Sequence, residues 1–188
     1  MANFNEAFEI TNKHEGGYAN VSGDKGGETY KGIARNYWPN WAGWGIIDSA
    51  KEKTPMNRLN GVLSENFELQ KAVSLFYKIN FWDKMRLDEF KTQAIANEVY
   101  DTGVNFGSKR SIKMLQEAVE LTTQSELAID GLIGRNTIRA ENIHGNPEFL
   151  YKMLNVLQGE AYIEAWREDG SQEKFIRGWF TRVVFIND

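Results

Sequence analysis

Apolar residues recur along this chain at the three- and four-residue spacing that is typical of amphipathic helices. A first helix is predicted near the N-terminus, where Gly16 and Gly17 end it. Its apolar stripe consists of Phe4, Ala7, Phe8 and Thr11. Later helices are predicted to begin near Ser64, Asp88 and Ser108 and at Pro147, and a last one carries Phe175, Ile176, Trp179, Phe180 and Val183.

Two segments in the N-terminal half lack this periodicity. Residues 18–36 are glycine-rich and are predicted to form turns with short extended pieces, whereas residues 37–61 are predicted to be an irregular, aromatic-rich excursion. The expected fold is therefore mainly α, a helical bundle with a small irregular or β, glycine-rich lobe near its N-terminus. We expect residues 1–86 and residues 87–188 to form two regions that pack as one compact unit.

The composition excludes several classes of function. The net charge is −4 and no basic stripe is present in the 188 residues, so nucleic-acid binding is not expected. The chain has no cysteine, which excludes disulfides and thiol catalysis. Its two histidines, His14 and His144, lie far apart in the sequence, so we expect neither a metal site nor a cofactor.

No signal peptide is visible at the N-terminus, which lacks a basic head followed by an apolar run. No apolar stretch approaches the length of a membrane span, so membrane insertion is not expected. A protein of this kind that acts outside the cytoplasm needs another route of release.

The segment HEGGYANVSGDKGGETYKGI, residues 14–33, carries the candidate chemistry. When the first helix is continued at about 100° per residue, Glu15 falls on the apolar stripe in the last helical turn. Partial burial and the negative end of the helix dipole both favour the protonated acid that general acid catalysis requires. The alternative is a carboxylate that pairs with an arginine such as Arg35 or reaches solvent. For His14 we expect a packing role.

Asp24 follows in the polar turn SGDKGG, where its carboxylate is expected to be solvated and ionised. One protonated and one charged carboxyl group is the combination that glycoside hydrolysis uses. Thr29 would hold the attacking water beside Asp24, and Gly26 and Gly27 would let a polymer approach the backbone. The alternatives are that Asp24 is an Asx-turn residue and Thr29 an ordinary strand residue.

The motif HEGGYAN…DKGGETYKGIA resembles the signature of glycoside hydrolase family 108, in which E-G-G-Y is followed by D-P-G-G-x-T-x-x-G-I. That family comprises lysozyme-like N-acetylmuramidases, which cleave the β-1,4 bond of peptidoglycan between N-acetylmuramic acid and N-acetylglucosamine. The resemblance implies that Glu15 is the catalytic glutamate. A similar set in phage-type lysozymes, with one more residue before the threonine, implies that Asp24 is the base and that Thr29 positions the water. Lys25 stands where the family commonly has proline, which makes this loop less rigid.

The C-terminal half extends the resemblance. YKINFWDKMR is similar to the family's Y-x-x-x-F-W-D segment, and the later D-x-x-V-N-x-G and D-G-x-x-G-x-x-T motifs resemble a predicted peptidoglycan-binding region. The resemblance implies a catalytic muramidase region at residues 1–86, a peptidoglycan-binding region at residues 87–188 and an insertion at residues 37–61. The substrate-binding residues that we expect are Tyr18, Gly26, Gly27, Tyr30, Asp101 and Asn105.

Several of the polar candidates have structural alternatives. Helix capping is the favoured role of Asp101 and Asn105, and a tight turn is favoured for residues 130–134. Glu98 lies on the apolar stripe of its helix, where we expect an ion pair with Arg or Lys and, as the alternative, a position in the cleft.

The three tryptophans of residues 37–61 recur at every third position, as Trp38, Trp41 and Trp44. This spacing suits the buried face of a helix. The proline and glycines between them favour a loop instead, where the indoles would stack on sugar rings.

The expected function is that of an endolysin-like peptidoglycan hydrolase, for which analogy favours inversion of configuration. Its partner would be the glycan strands of peptidoglycan, in the periplasm or outside the cell after release by a holin or dedicated export, and it would be a monomer. One alternative is a lytic transglycosylase, which needs the glutamate but no water-activating aspartate. The other is a non-catalytic peptidoglycan-binding or secretion-assisting protein.

Overall fold

A computed structural model describes residues 1–12, 16–21, 24–170 and 173–183 of the chain. Helices dominate this part of the chain, and a small sheet lies near the N-terminus, so the predicted fold class is confirmed. The chain divides into two compact units, one formed by Met1–Ala7 with Phe81–Asp188 and the other by Phe8–Asn80.

The unit Phe8–Asn80 contains the sheet, which is antiparallel. Its strands, in spatial order, are β1 (Tyr18–Ala19), β2 (Thr29–Tyr30) and β3 (Ile33–Ala34). β1 and β2 pair through Tyr18 with Tyr30, and β2 and β3 are joined by Lys31 and Gly32. Both joining residues have positive φ, 44° and 76°, as a two-residue hairpin turn requires.

Three helices complete this unit and pack on one another. They are α2 (Gly43–Lys53), α3 (Met56–Glu65) and α4 (Phe67–Tyr77). The prediction that residues 37–61 are irregular is therefore wrong over most of that range. Ile47, Leu59 and Leu63 are buried and form the inner faces of α2 and α3. The interspersed glycines and asparagines had obscured this pattern.

The start of α4 also differs from the prediction. Ser64 lies in the last turn of α3, and Asn66 caps α4 by accepting a hydrogen bond from the backbone N–H of Leu69 at 2.9 Å. The sheet is attached to this helix. Tyr77 donates its hydroxyl to the carbonyl of Lys31 at 2.7 Å.

The other unit contains the longer helices. They are α5 (Gln93–Phe106), α6 (Ser108–Thr122), α7 (Arg135–Asn142), α8 (Pro147–Glu168) and α9 (Glu173–Phe180), which follow a 3-10 turn (Leu87–Glu89). The chain passes from one unit to the other within α1 (Phe4–Asn12) and again within a π-helical turn (Lys78–Trp82). α5, α6 and α8 pack on one another. The N-terminal residues join them, since the backbone N–H of Ala2 donates to the carbonyl of Phe90 at 2.8 Å.

One helix boundary in this unit corrects the sequence prediction. α5 begins at Gln93 rather than near Asp88, and Gly103 lies inside it, where a β-carbon would come within 2.5 Å of the Met85 methyl group. Gly107, with φ of +86°, separates α5 from α6, and α6 begins at Ser108.

Two predictions in this unit are confirmed. Pro147 opens α8, whose cap is the side chain of Asn146. The segment at residues 130–134 is a turn in which Asp130 Oδ1 accepts a hydrogen bond from Leu132 at 2.8 Å.

Candidate active site

The hairpin of β1 and β2 carries two of the three predicted catalytic residues. Asp24 lies in the loop between the strands, and Thr29 is the first residue of β2. Glu15 and its neighbour His14 lie outside the described residues. The described part of the site therefore consists of the loop, its strands and the residues that support them.

The carboxylate of Asp24 is exposed and shapes its own turn. Its Oδ1 atom accepts a hydrogen bond from the backbone N–H of Gly26 at 2.8 Å, and its carbonyl accepts one from Gly27 at 3.1 Å. This is the Asx turn that was the alternative role of Asp24. The turn fixes the backbone from Asp24 to Gly27 and leaves the carboxylate accessible to water.

Thr29 directs its hydroxyl back to the same loop. Its Oγ1 atom donates to the carbonyl of Gly27 at 3.3 Å, while its backbone pairs with Ala19 in β1. The side chain is half-buried. Thr29 is thus a strand residue whose hydroxyl contacts the turn that Asp24 forms.

The chain's own conformation and packing favour glycine at two positions of this loop. Gly26 is buried, and a β-carbon there would lie 3.0 Å from the Cβ of Ala34. Gly27 has φ of +67°, and a β-carbon there would lie 2.9 Å from the side-chain nitrogen of Asn36. These contacts give both glycines a structural role. Their contact with substrate stays a prediction.

The two tyrosines of the sheet differ in exposure. Tyr30 is 1% exposed and its hydroxyl accepts a hydrogen bond from Gln70 at 3.0 Å, so it belongs to the core and offers little surface to a sugar. Tyr18 is half-buried, and its hydroxyl donates to Glu28 at 2.6 Å. Its backbone N–H donates to the side chain of Asn60, also at 2.6 Å.

Glu28 is the charged centre of this lobe, and the sequence analysis did not identify it. Its side chain is 12% exposed and forms ion pairs with Arg35, at 2.9 Å, and with Lys51. Burial alone would raise the pKa of Glu28, but hydrogen bonds from Lys51 and Tyr18 and the charge of Arg35 outweigh it and lower that pKa. Glu28 is therefore an ionised link between the sheet and α2. No pattern indicated it, because its partner Lys51 lies in a helix that was predicted to be irregular.

The three tryptophans divide between the core and the surface. Trp44 is buried in the first turn of α2, with the guanidinium of Arg35 at 4.5 Å from its ring centroid. Trp38 and Trp41 precede α2, and Trp38 is 38% exposed. Together with Tyr37, Leu75, Phe76 and Ile79, Trp38 and Trp41 line a cavity of about 420 Å³, which we call the aromatic groove.

The two substrate-binding candidates of α5 have partners in their own unit. Asp101 lies inside the helix and forms an ion pair with Arg182 at 2.6 Å, so the capping role predicted for it is wrong. Asn105 donates its side chain to Asp101 Oδ2 at 3.1 Å, and Gln158 donates to the same oxygen at 3.3 Å. Asp101 therefore connects α5 to α8 and to the segment after α9.

Glu98 is buried in the same unit, at 5% exposure. Burial, and next the negative charge of Asp101, raise the pKa of Glu98 to about 8. Its hydrogen-bond partners in the described part of the chain are Asn155 and Thr102, so the predicted ion pair with Arg or Lys is wrong. A carboxyl group in these surroundings is neutral at neutral pH.

No metal site is indicated within the described ranges, where His, Asp and Glu side chains form no cluster of three or more. In the same ranges, every helix is too short or too polar to cross a bilayer.

A helical fold with a glycine-rich hairpin near its N-terminus defines a lysozyme-like class of protein. Residues 8–107 match the family model described as Glycosyl hydrolase 108, and residues 110–184 match the one described as Predicted Peptidoglycan domain. The first match covers more than half of the chain, so the chain belongs to glycosyl hydrolase family 108. It is a glycoside hydrolase that acts on peptidoglycan, and its target is the cell wall.

The solved structure of Brucella abortus SagA is similar to this chain, with a TM-score of 0.61 at 23% sequence identity. The likeness covers 96% of this chain and 88% of that chain. At this identity it shows the fold alone. No curated protein matches the sequence.

Proposed function

We propose that the protein is an N-acetylmuramidase, which cleaves the β-1,4 bond between N-acetylmuramic acid and N-acetylglucosamine with Glu15 as general acid. The observation that carries this proposal is membership of glycosyl hydrolase family 108 over residues 8–107, which include the E-G-G-Y motif. A protonated carboxyl group would donate its proton to the glycosidic oxygen as the bond breaks.

Asp24 is the second carboxylate of the proposal. Its exposure and its turn support the role of base, because they leave the carboxylate accessible to a water molecule. The hydroxyl of Thr29, which contacts Gly27 in the same loop, would orient that water. Attack by water from the face opposite to the general acid inverts the anomeric configuration, and this requires carboxyl groups about 6.5–9.5 Å apart.

The remaining residues would bind the strand. Tyr18, through the ring face that Lys51 does not cover, and the Gly26-Gly27 backbone are proposed to contact the sugars next to the scissile bond. We propose that Asp101 and Asn105 contact the glycan strand at the edge of α5. The division into a catalytic region, residues 1–86, and a peptidoglycan-binding region, residues 87–188, is part of this proposal, and so is action as a monomer after release from the cytoplasm.

The decisive experiment compares the wild type with Glu15→Gln in a reducing-end assay on purified sacculi. The variant should lose at least about 100-fold in rate, since the amide cannot donate a proton to the leaving oxygen. Glu9→Gln is the matched control, because it removes an exposed carboxylate of α1 and should leave the rate unchanged. Full lysis by Glu15→Gln would rule out the proposal.

Asp24→Asn, in the same assay, distinguishes hydrolysis from the transglycosylase reaction. Asparagine retains the oxygen that accepts the Gly26 hydrogen bond, so the turn should persist while the base is lost. A muramidase should then lose most of its rate, and mass spectrometry of the wild-type products should show reducing muramic ends. Anhydro-muramic ends, with full activity of Asp24→Asn, would instead identify a transglycosylase. A protein that binds sacculi but releases no reducing sugar would be the non-catalytic alternative.

A further inference from the structure

The aromatic groove has the size and chemistry of a ligand site. Its volume of about 420 Å³ lies within the range of roughly 300–1,000 Å³ that is usual for small-molecule pockets. Its walls are Tyr37, Trp38 and Trp41 on one side and residues of α4 and the following turn on the other. None of the described residues that line it carries a charge.

The two tryptophan rings of the groove, Trp38 and Trp41, have packing or hydrogen-bond partners within the protein. Trp38 packs against Phe76 edge-to-face, with ring centroids 4.9 Å apart and an interplanar angle of 88°. Trp41 donates its indole N–H to the carbonyl of Ala72 at 3.3 Å. The indole of Trp44 donates to the carbonyl of Trp38 at 2.8 Å and so fixes the backbone of this segment. Such rings bind a flat apolar face without a further loss of side-chain freedom.

Two of these rings face solvent. Tyr37 is 66% exposed and Trp38 is 38% exposed, next to the exposed aliphatic side chains of Leu75 and Ile79. Apolar side chains that are grouped in this way, and not scattered singly, indicate a binding surface.

The groove is continuous with the loop that carries Asp24. A β-carbon on Gly26 would lie 3.8 Å from Cε2 of the Tyr37 ring. The neighbouring Asn36 holds the loop next to Tyr37. Its backbone N–H donates to the carbonyl of Gly26 at 3.1 Å, and its side-chain amide donates to the carbonyl of Lys25 at 3.0 Å. The Tyr37 ring therefore lies beside the turn that Asp24 forms, where a polymer that continues past Gly26 would meet it.

We propose that the aromatic groove is a second glycan subsite, which binds an N-acetylhexosamine ring of the same strand that is cleaved at Asp24. The C–H face of a pyranose ring is flat and apolar and stacks on Tyr37 or Trp38, while the methyl of its acetamido group fits between aromatic rings. The amide of Asn40, in the lining, supplies a polar partner for the sugar hydroxyls. The uncharged walls suit the glycan rather than the peptide stems, whose carboxylates and amines need charged partners. This assignment rests on the proposed muramidase function.

Binding is tested in the Glu15→Gln protein, which would retain a bound strand without cutting it. The probe is a soluble β-1,4-linked N-acetylglucosamine oligosaccharide, titrated by calorimetry and by tryptophan fluorescence. Tyr37→Ala and Trp38→Ala should each weaken binding about tenfold, and Trp38→Phe should recover most of the loss. Phe67→Ala is the control, because Phe67 is aromatic and 75% exposed in the same unit but does not line the groove.

A kinetic readout separates a sugar subsite from a structural role. With Glu15 intact, Tyr37→Ala and Trp38→Ala should raise KM on sacculi with little change in kcat. The reason is that the subsite would bind the ground state and the transition state with equal affinity. Thermal unfolding confirms that each variant folds. Unchanged oligosaccharide affinity in both variants would overturn the subsite, as would an absence of binding to the Glu15→Gln protein. If Glu15→Gln lyses sacculi, the proposed function itself fails.

Discussion

Three carboxylates of this chain, Asp24, Glu28 and Glu98, are found in three different environments. Asp24 is exposed in a turn, Glu28 is paired with two cations, and Glu98 is buried among neutral partners. The polar turn around Asp24 could be predicted from neighbouring residues. The other two environments depend on residues far away in the sequence, such as Lys51 for Glu28 and Asn155 for Glu98.

Glu98 should make stability depend on pH. The carboxyl group of the unfolded chain has its ordinary pKa of 4.5, while burial raises the pKa in the folded protein to about 8. Between these values the folded protein retains a proton that the unfolded chain releases. The free energy of unfolding should therefore fall as pH rises, by up to about 1.4 kcal/mol for each pH unit. Glu98→Gln should remove this contribution, which urea unfolding from about pH 5 to pH 8 measures.

The matched control for this prediction is Glu160→Gln, an exposed position on α8. It should follow the wild-type pH dependence. Among the described residues, the charged and titratable groups that interact with Glu98 are Asp101 on its own helix and Tyr151 and Tyr162 on α8, and Arg182 pairs with Asp101. All of them remain in both variants. If the free energy of unfolding changes with pH equally in Glu98→Gln and in the wild type, Glu98 is ionised in the folded state and the prediction fails.

At the scale of elements, local signals located helices better than they located helix ends. The apolar stripes correctly predicted α1, α5, α6 and α9, and Pro147 correctly marked the first turn of α8. α2 and α3 were missed because glycine, asparagine and proline are typical of loops in isolation. Burial of Ile47, Leu59 and Leu63 stabilises these helices in spite of their composition.

The turn before α7 provides the prediction at this scale. Gly131 has φ of +75°, and a β-carbon there would lie 2.7 Å from the backbone oxygen of Lys109. Gly131→Ala should lower the free energy of unfolding by about 1–3 kcal/mol, since both strain and a backbone clash oppose the side chain. Gly145→Ala, where a β-carbon meets open space, should change it by no more than about 0.5 kcal/mol. Equal urea midpoints for the two variants would contradict this account.

At the scale of the whole molecule, the first residues of the chain belong with its C-terminal part. Met1–Ala7 form one compact unit with Phe81–Asp188. Within that unit, Phe4 lies 5.7 Å from the ring of Trp82 and 5.9 Å from that of Tyr100, both edge-to-face. The unit is thus built from two separate stretches of sequence. The predicted boundary between residues 86 and 87 stays a prediction.

Phe4→Ala tests this arrangement in the intact protein. Phe4 is 7% exposed, so its truncation should cost about 3–5 kcal/mol of stability. Hydrogen exchange followed by mass spectrometry should show the loss of protection in α5, which carries Tyr100. Phe67→Ala, at a position that is 75% exposed, should leave exchange in α5 unchanged. Faster exchange confined to residues 8–80 in Phe4→Ala would contradict the assignment of this side chain.

The mainly helical fold, the small glycine-rich lobe and the motifs that mark the family could all be predicted from the amino-acid sequence. These features are encoded by residues close together in the chain, through periodicity, turn residues and a fixed order of motifs. Four other features became visible only in the folded chain: residues 43–65 form helices, Met1–Ala7 join the C-terminal unit, Glu28 is ionised between two cations, and Tyr37 extends the Asp24 loop into an aromatic groove. These four features depend on burial and on contacts between residues that are distant in the sequence. Such interactions contribute to stability only after the chain has folded and packed.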